Sequence, residues 1–375
     1  MLSYWEQQSF TKYDHIVVGA GIVGLSTAIE LKEKYPAQTV LVLERGLLPT
    51  GASSRNAGFA CMGSLTELLD NEQYHTEHEI TSLYLKRKQG LELLRNRLGD
   101  ERIGYRANGS YELLNVDDLP MLAQMEYLNN LLLPITGKPA FALANDKIQP
   151  FGFSTAHTMA LIENTCEGEL NTGKMLRALT DFAISKGVEV KTGAEVVRFD
   201  DMGSYVTVEI RDPFRRESLT LNGSTLSICT NAFAKQLLPE VDVVPGRGQV
   251  LITDPIPDLK FRGVYHFDKG YYYFREIDGR VLLGGGRNLD FDGEETTEFA
   301  VTENIQASLE EKLREVIIPD TRFTIAQRWS GIMAFGSSKE PIVQAFSPRV
   351  FGAFRMGGMG VALGSLVGRE LVELI

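Results

Sequence analysis

At 375 residues the chain is long enough to bury two packed domains, and its formal net charge of −11 sets its field against nucleic acid and anionic membrane surfaces. Its 43% hydrophobic and 23% charged residues are those of an ordinary globular enzyme. Cys61, Cys166 and Cys229 are widely spaced and lack a CxxC pair, which excludes a disulfide framework or zinc site and suits a reducing compartment. No apolar run approaches the ~20 residues that span a bilayer. The opening MLSYWEQQSFTKYDH lacks the basic and apolar regions of a secretory leader, so a cytoplasmic location is expected, with no metal and no nucleic-acid partner.

In chain order, residues 13–44 read as strand, helix, strand. The Gly-, Ser- and Ala-rich stretch 47–64 reads as a long ordered loop, and such loops tend to be functional. Residues 78–99 carry Ile80, Leu83, Leu91 and Leu94 at helical spacing. In 105–116 an Asn-Gly pair between β-prone segments predicts a hairpin. Residues 168–200 give a helix and then a strand, 205–210 and 225–234 give strands, and strand signals dominate 250–288 with a hairpin turn at Asp278-Gly279. Residues 298–317 read as helix, and 349–375 as strand, glycine-rich turn and helix.

Gly19, Gly21 and Gly24 form G-x-G-x-x-G after a strand and at the start of a helix. Gly19 suits the tight turn, Gly21 lets a pyrophosphate approach bare backbone, and Gly24 lets helix and strand pack closely. The helix N-terminus offers free N–H groups to phosphate. Glu44 follows Gly24 by 20 residues, at the end of the second strand, where it can accept hydrogen bonds from an adenosine ribose and repel a 2′-phosphate. The motif alone serves FAD and NAD equally, so an NAD-dependent dehydrogenase stays open at this point.

The stretch ERGLLPTGASSRNAGFACMG (44–63), with GELNTGKMLRAL, TNAFAKQLLP, GRGQVLIT, RWSG and MGGMGVALGSLVGRELVELI in collinear order, resembles the FAD-dependent oxidoreductases of the D-amino-acid oxidase, glycine oxidase and sarcosine oxidase group. Among these, SYW, GASSRN and YYYFREIDGRVLLGGG are nearest to gamma-glutamylputrescine oxidoreductase-like amine-oxidising members. The resemblance implies an α/β, two-domain fold: a glutathione-reductase-type, Rossmann-like FAD-binding domain from 1–75, 150–240 and 338–375, and a mixed or antiparallel β-sheet substrate domain with helices from 76–149 and 241–337. It implies non-covalent FAD held by Gly19, Gly21, Ile22, Val23, Gly24, Glu44, Arg45, Ser53, Ser54, Arg55, Asn56, Gly58, Val196, Asn231, Gly331, Met356, Gly357, Gly358, Met359, Gly360 and Val361.

The activity implied is oxidation of a C–N bond in a small amine or amino acid, by hydride transfer to flavin N5 and hydrolysis of the imine. Tyr272, Arg275, His266 and Met333 are the candidate substrate-side residues. Met333 stands where amino-acid-oxidising relatives carry a carboxylate-binding Arg, which weakens the case for a simple α-amino acid. Arg247, Arg275, Arg287 and Arg328 compete as anion binders, with surface salt bridging as the commoner role. Leu282 or Leu283 stands where sarcosine-oxidase-like members carry a Lys, which counts against rapid reaction with O₂; the electron acceptor is left open between O₂ and another carrier, as in a dehydrogenase. These departures also leave room for a flavin-bound assembly or interaction protein whose redox site has decayed.

Overall fold

The apolar segment Lys12–Val18 forms the central strand of a sheet because both its faces are covered, and its inner residues Ile16 and Val17 are wholly buried. A computed structural model describes residues 2–72, 75–212 and 218–375. Among these residues the sheet has eight strands. Ile342–Ala345, Val350–Phe354, Ser218–Ile228, Lys12–Val18, Val40–Glu44 and Val188–Thr192 lie in that order, and all but the first run parallel. The long strand Ser218–Ile228 extends past this layer and pairs antiparallel with Val206–Arg211, which pairs in turn with Glu195–Asp201.

Helices Ile22–Lys34, Glu77–Leu98, Thr172–Ser185 and Gly360–Glu373 bury their apolar faces in one core over the parallel strands. Their boundaries follow local chemistry. Thr76 and Glu79 form a capping box, the Asn171 side chain accepts from the Lys174 N–H, and Gly99 at φ +83 ends the long helix.

A second eight-stranded sheet runs Ile325–Phe335, Val244–Thr253, Arg280–Gly285, Tyr272–Ile277, Val264–Phe267, Ser110–Leu114, Ala160–Asn164 and Phe141–Leu143. Its pairs are antiparallel except Val264–Phe267 with Ser110–Leu114, so the sheet is mixed, as expected. Phe153, Phe261, Tyr265, Phe267 and Phe274 pack edge-to-face and stacked beneath it, closed by Glu303–Lys312 and the turn Leu313–Ile317. The turn at Asp278-Gly279 is a hairpin, with φ +51 and +73 at the two residues.

The expected hairpin at Asn108-Gly109 does not form. Arg106 bridges Glu169 instead, and Ser110–Leu114 finds its partners in Ala160–Asn164 and Val264–Phe267. The turn signal was local, and the two flanking segments are claimed by different long-range partners. We propose that the chain divides into two units close to those read from the sequence, with Ala160–Asn164 moved to the second because it pairs only there and helix Glu77–Leu98 moved to the first, whose core it joins.

Candidate functional site

The first strand ends at Gly19, whose φ of +104 turns the chain beneath the Cys229 carbonyl; a Cβ at Gly19 would lie 2.8 Å from that oxygen. Gly24 meets the same turn, and a Cβ there would sit 1.9 Å from the Gly19 carbonyl oxygen. The Ile22 N–H at the helix start donates to Ser53 Oγ at 3.0 Å. Glu44 is tied to the turn it faces, accepting from the N–H groups of Ala20 (3.1 Å) and Gly46 (3.0 Å). The Arg45 guanidinium lies 3.8 Å from the centre of the Phe233 ring, and the Ala194 N–H donates to the Glu44 carbonyl, bringing the 194–196 segment alongside.

The loop after the second strand spends its polar groups on itself, on Thr172 and on the second sheet. The short helix Ala52–Arg55 is fastened by Arg55 Nη1 to the Ser330 carbonyl (2.9 Å) and by Trp329 Nε1 to the Arg55 carbonyl (3.0 Å). The Ser54 hydroxyl donates to the Pro49 carbonyl, and Asn56 Oδ1 accepts from the Gly58 N–H and the Thr172 hydroxyl, each at 2.9 Å. At the far end of the chain Asn231, at φ +48, accepts the Arg355 N–H at 3.1 Å, and the Gly357 N–H donates to the Ala334 carbonyl. These bonds seat the 356–360 turn between the two sheets.

One cavity of about 920 Å³ touches all these pieces, at the upper end of the ~300–1,000 Å³ typical of small-molecule sites. Gly19, Gly21, Ile22, Val23, Glu44, Arg45, Ser53, Arg55, Asn56, Val196, Asn231, Gly331 and the run from Met356 to Val361 line it, as do His266 and Met333. Gly24, Ser54 and Gly58 stand behind its wall and support it through the contacts just described.

Residues 14–374 match the family model described as FAD dependent oxidoreductase, DAO. The chain belongs to this FAD-dependent oxidoreductase family. It is therefore an enzyme whose cofactor is FAD, which sets the nicotinamide reading aside. It is 24% identical to the L-2-hydroxyglutarate dehydrogenase of Escherichia coli over 90% of this chain and 79% of that one. The glycine oxidase of Geobacillus kaustophilus has the same fold, with a TM-score of 0.77 at 20% identity over 97% of this chain and 95% of that one. So does the iminodiacetate oxidase of Chelativorans, with a TM-score of 0.76 at 18% identity over 96% and 94%.

Two of the expected substrate-side residues of this oxidoreductase lie elsewhere. Tyr272 points away from the cavity, stacking on Phe267 at 5.0 Å with its hydroxyl 3.0 Å from Ser308 Oγ. Its neighbour Tyr273 lines the cavity instead, since adjacent strand residues face opposite ways. Arg275 shares the Tyr273 face but is roofed by the 57–58 loop. It pairs with Glu169 at 3.1 Å and donates to the carbonyls of Ala57, Gly58 and Leu170. Buried and spent on backbone, it shapes the site without facing it.

Arg287, one of the competing anion binders, lines the cavity, whereas Arg247 and Arg328 do not. The sequence reading also missed part of the wall. Phe59 meets both His266 (5.1 Å) and Tyr273 (5.6 Å) edge-on, and Cys61, Glu67 and Arg87 line the cavity nearby. Burial pushes His266 down to about 4, so the imidazole is neutral at pH 7, and its Nε2 has no partner. Burial pushes the Tyr273 phenol up to about 12 and the Cys61 thiol well up, the latter helped by the Glu167 carboxylate. Cys61, Glu167 and His266 bring one ligand-type atom each within 4.8 Å of one another, but Glu167 already accepts from Ser110 Oγ (2.7 Å) and the N–H groups of Met62 and Gly63. Their place in separate elements left no sequence signal. No helix among the described residues is long and apolar enough to cross a membrane.

Proposed function

We propose that FAD lies along this cavity and that the enzyme oxidises the C–N bond of a small amine or amino acid. The observation that carries the reading is the single cavity shared by the first glycine turn, the Glu44 end of the second strand and the closing turn. The residues fit the cofactor. The backbone at Gly19 and Gly21 presents no side chain to the cavity, and the start of Ile22–Lys34 supplies N–H groups for a pyrophosphate. Glu44 retains acceptor capacity for ribose hydroxyls beyond the two N–H groups it binds, and Val196 borders the same region. Ser53 and Asn56 border the path toward the closing turn, where helix Gly360–Glu373 begins and offers donors to developing negative charge.

When bound, the flavin supplies the two-electron acceptor. The protein's part is to exclude water and place the substrate. Phe59, Tyr273 and Met333 form an apolar wall that disfavours an ammonium ion and so favours the neutral, reactive amine. His266, itself neutral, carries a bare Nε2 for a hydrogen bond. The same nitrogen favours a second reading, oxidation of a 2-hydroxy acid, because an alcohol needs a base to take its proton where a neutral amine does not. The likeness to the L-2-hydroxyglutarate dehydrogenase supports that alternative.

Anaerobic mixing of the purified protein with primary, secondary and N-methyl amines, amino acids and 2-hydroxy acids separates the readings. Bleaching of the flavin by an amine with release of a carbonyl product is expected. Bleaching by hydroxy acids alone overturns the C–N assignment, and bleaching by none overturns both readings. Reoxidation by air compared with a dye then identifies the acceptor class.

A further inference from the structure

Met333 faces Gly246 across the strand pair Val244–Thr253 and Ile325–Phe335. Because Gly246 has no side chain, a notch opens there, and a guanidinium fills it. The Cζ of Arg287 lies 3.0 Å from the point a Gly246 Cβ would occupy, beside the Phe335 ring. Arg287 opens the short turn Arg287–Leu289 just past the strand Arg280–Gly285, which pairs with Val244–Thr253 on its other edge. Thus a guanidinium stands in the Gly246 notch that Met333 faces.

Its surroundings are unusual for a cation. The guanidinium lies 4.4 Å from the centre of the Phe335 ring and 5.0 Å from that of Phe291, and it lines the cavity. Its Nε is buried without a partner, and among the described residues its side chain makes no ion pair and no hydrogen bond, the backbone carbonyl alone accepting from the Asp290 N–H. Of the two carboxylates whose charge reaches it, Glu295 is exposed and makes no ion pair with it, and Glu294 is already bound by Arg247 at 2.9 and 2.6 Å and by Gln249. Other cations nearby are engaged: Arg87 with the Met62 carbonyl and Glu67, Lys269 with Asp70. A half-buried guanidinium with spare donors is costly unless an anion completes it.

Resting on the flavoenzyme reading above, we infer that Arg287 is the substrate-anion residue and that the substrate carries a carboxylate. The phenyl rings beside the guanidinium leave its fork of donors for a two-oxygen partner, and the amino acid of the proposed reaction supplies a carboxylate for that place. Met333 then contributes only apolar wall.

The test is titration of the holoenzyme with acetate, benzoate and pyrrole-2-carboxylate, their carboxamides, and inorganic phosphate, followed by flavin absorbance and by calorimetry. At least one carboxylate is expected to bind roughly 10- to 100-fold tighter than its amide. Arg287→Met is expected to remove that preference, and Arg287→Lys to keep part of it, since charge remains but the fork is lost. Adding Met333→Arg to Arg287→Met is expected to restore it. Equal binding of acids and amides, a preference that survives Arg287→Met, or equal competition by phosphate overturns the inference. Should Arg287→Met fail to fold, full carboxylate preference in Arg287→Lys overturns it equally. Failure of the C–N reading shows separately, because these ligands report binding whether or not any amine bleaches the flavin.

Discussion

Gly21 and Gly24 sit three residues apart in one turn, yet replacing each with alanine should do different damage. A Cβ at Gly24 would lie 1.9 Å from the Gly19 carbonyl oxygen, a backbone atom that cannot step aside. Overpacking of this kind costs about 1–3 kcal/mol, only partly offset by the ~1 kcal/mol that alanine gains over glycine inside a helix. A Cβ at Gly21 would meet only Ser53 Oγ, at 2.8 Å, and a hydroxyl can rotate. The cost there is the Ile22 N–H to Ser53 hydrogen bond, roughly 0.5–1.5 kcal/mol. The same Cβ, however, borders the cavity where a pyrophosphate would meet the helix start. Loss of one or two charge-assisted bonds there predicts FAD binding weaker by roughly 10- to 100-fold. Urea denaturation of the apoproteins and fluorescence titration with FAD measure the two effects. Gly24→Ala should lose stability in the apo form, and Gly21→Ala should fold nearly normally but hold FAD poorly. An FAD affinity within about twofold of wild type for Gly21→Ala, or an equal stability loss in both variants, refutes the reasoning.

Arg275→Met leaves Glu169 buried without its cation and strips a donor from the carbonyls of Ala57, Gly58 and Leu170. A stability loss of roughly 3–5 kcal/mol is expected in thermal or urea unfolding, with faster amide exchange in the 57–61 loop. Tyr272→Phe should cost about 1 kcal/mol through the Ser308 contact and leave flavin reduction alone, whereas Tyr273→Phe should change the reduction rate; stopped-flow bleaching compares them. Glu112 is buried, which pushes its carboxyl up to about 7 from 4.5 against hydrogen bonds from Thr66 and Ser64. Its folded pKa is above the unfolded one, so its contribution is full below about pH 4.5 and is lost as pH rises through 7. Between pH 4.5 and 8 wild type should therefore lose roughly 3 kcal/mol relative to Glu112→Gln, read from urea midpoints at each pH; parallel curves contradict this.

The elements of the nucleotide half were legible because their signals are local. Strand, glycine turn, helix and terminal acid occupy 12–44 in sequence and in space, and the closing strand, turn and helix are equally contiguous. The substrate wall was less legible for physical reasons. Tyr272 and Tyr273 are indistinguishable by composition, and only strand register decides which faces the cavity. Arg275 and Arg287 looked alike as anion binders, yet one is roofed by a loop fixed through Glu169 and the other enters the notch at Gly246. Cys61 and Glu67, Arg87, and His266 come from three separate segments that meet only through tertiary packing. Asn108-Gly109 misled because a turn signal says nothing of which distant strands claim its flanks.

Amide hydrogen exchange with and without FAD tests most directly whether one dinucleotide reaches both glycine turns. We expect FAD to slow exchange at residues 21–23 and, in the same experiment, at 357–361, with the 53–56 loop protected as well. Protection confined to one of the two turns, or to neither, contradicts the placement of the cofactor and the function built upon it.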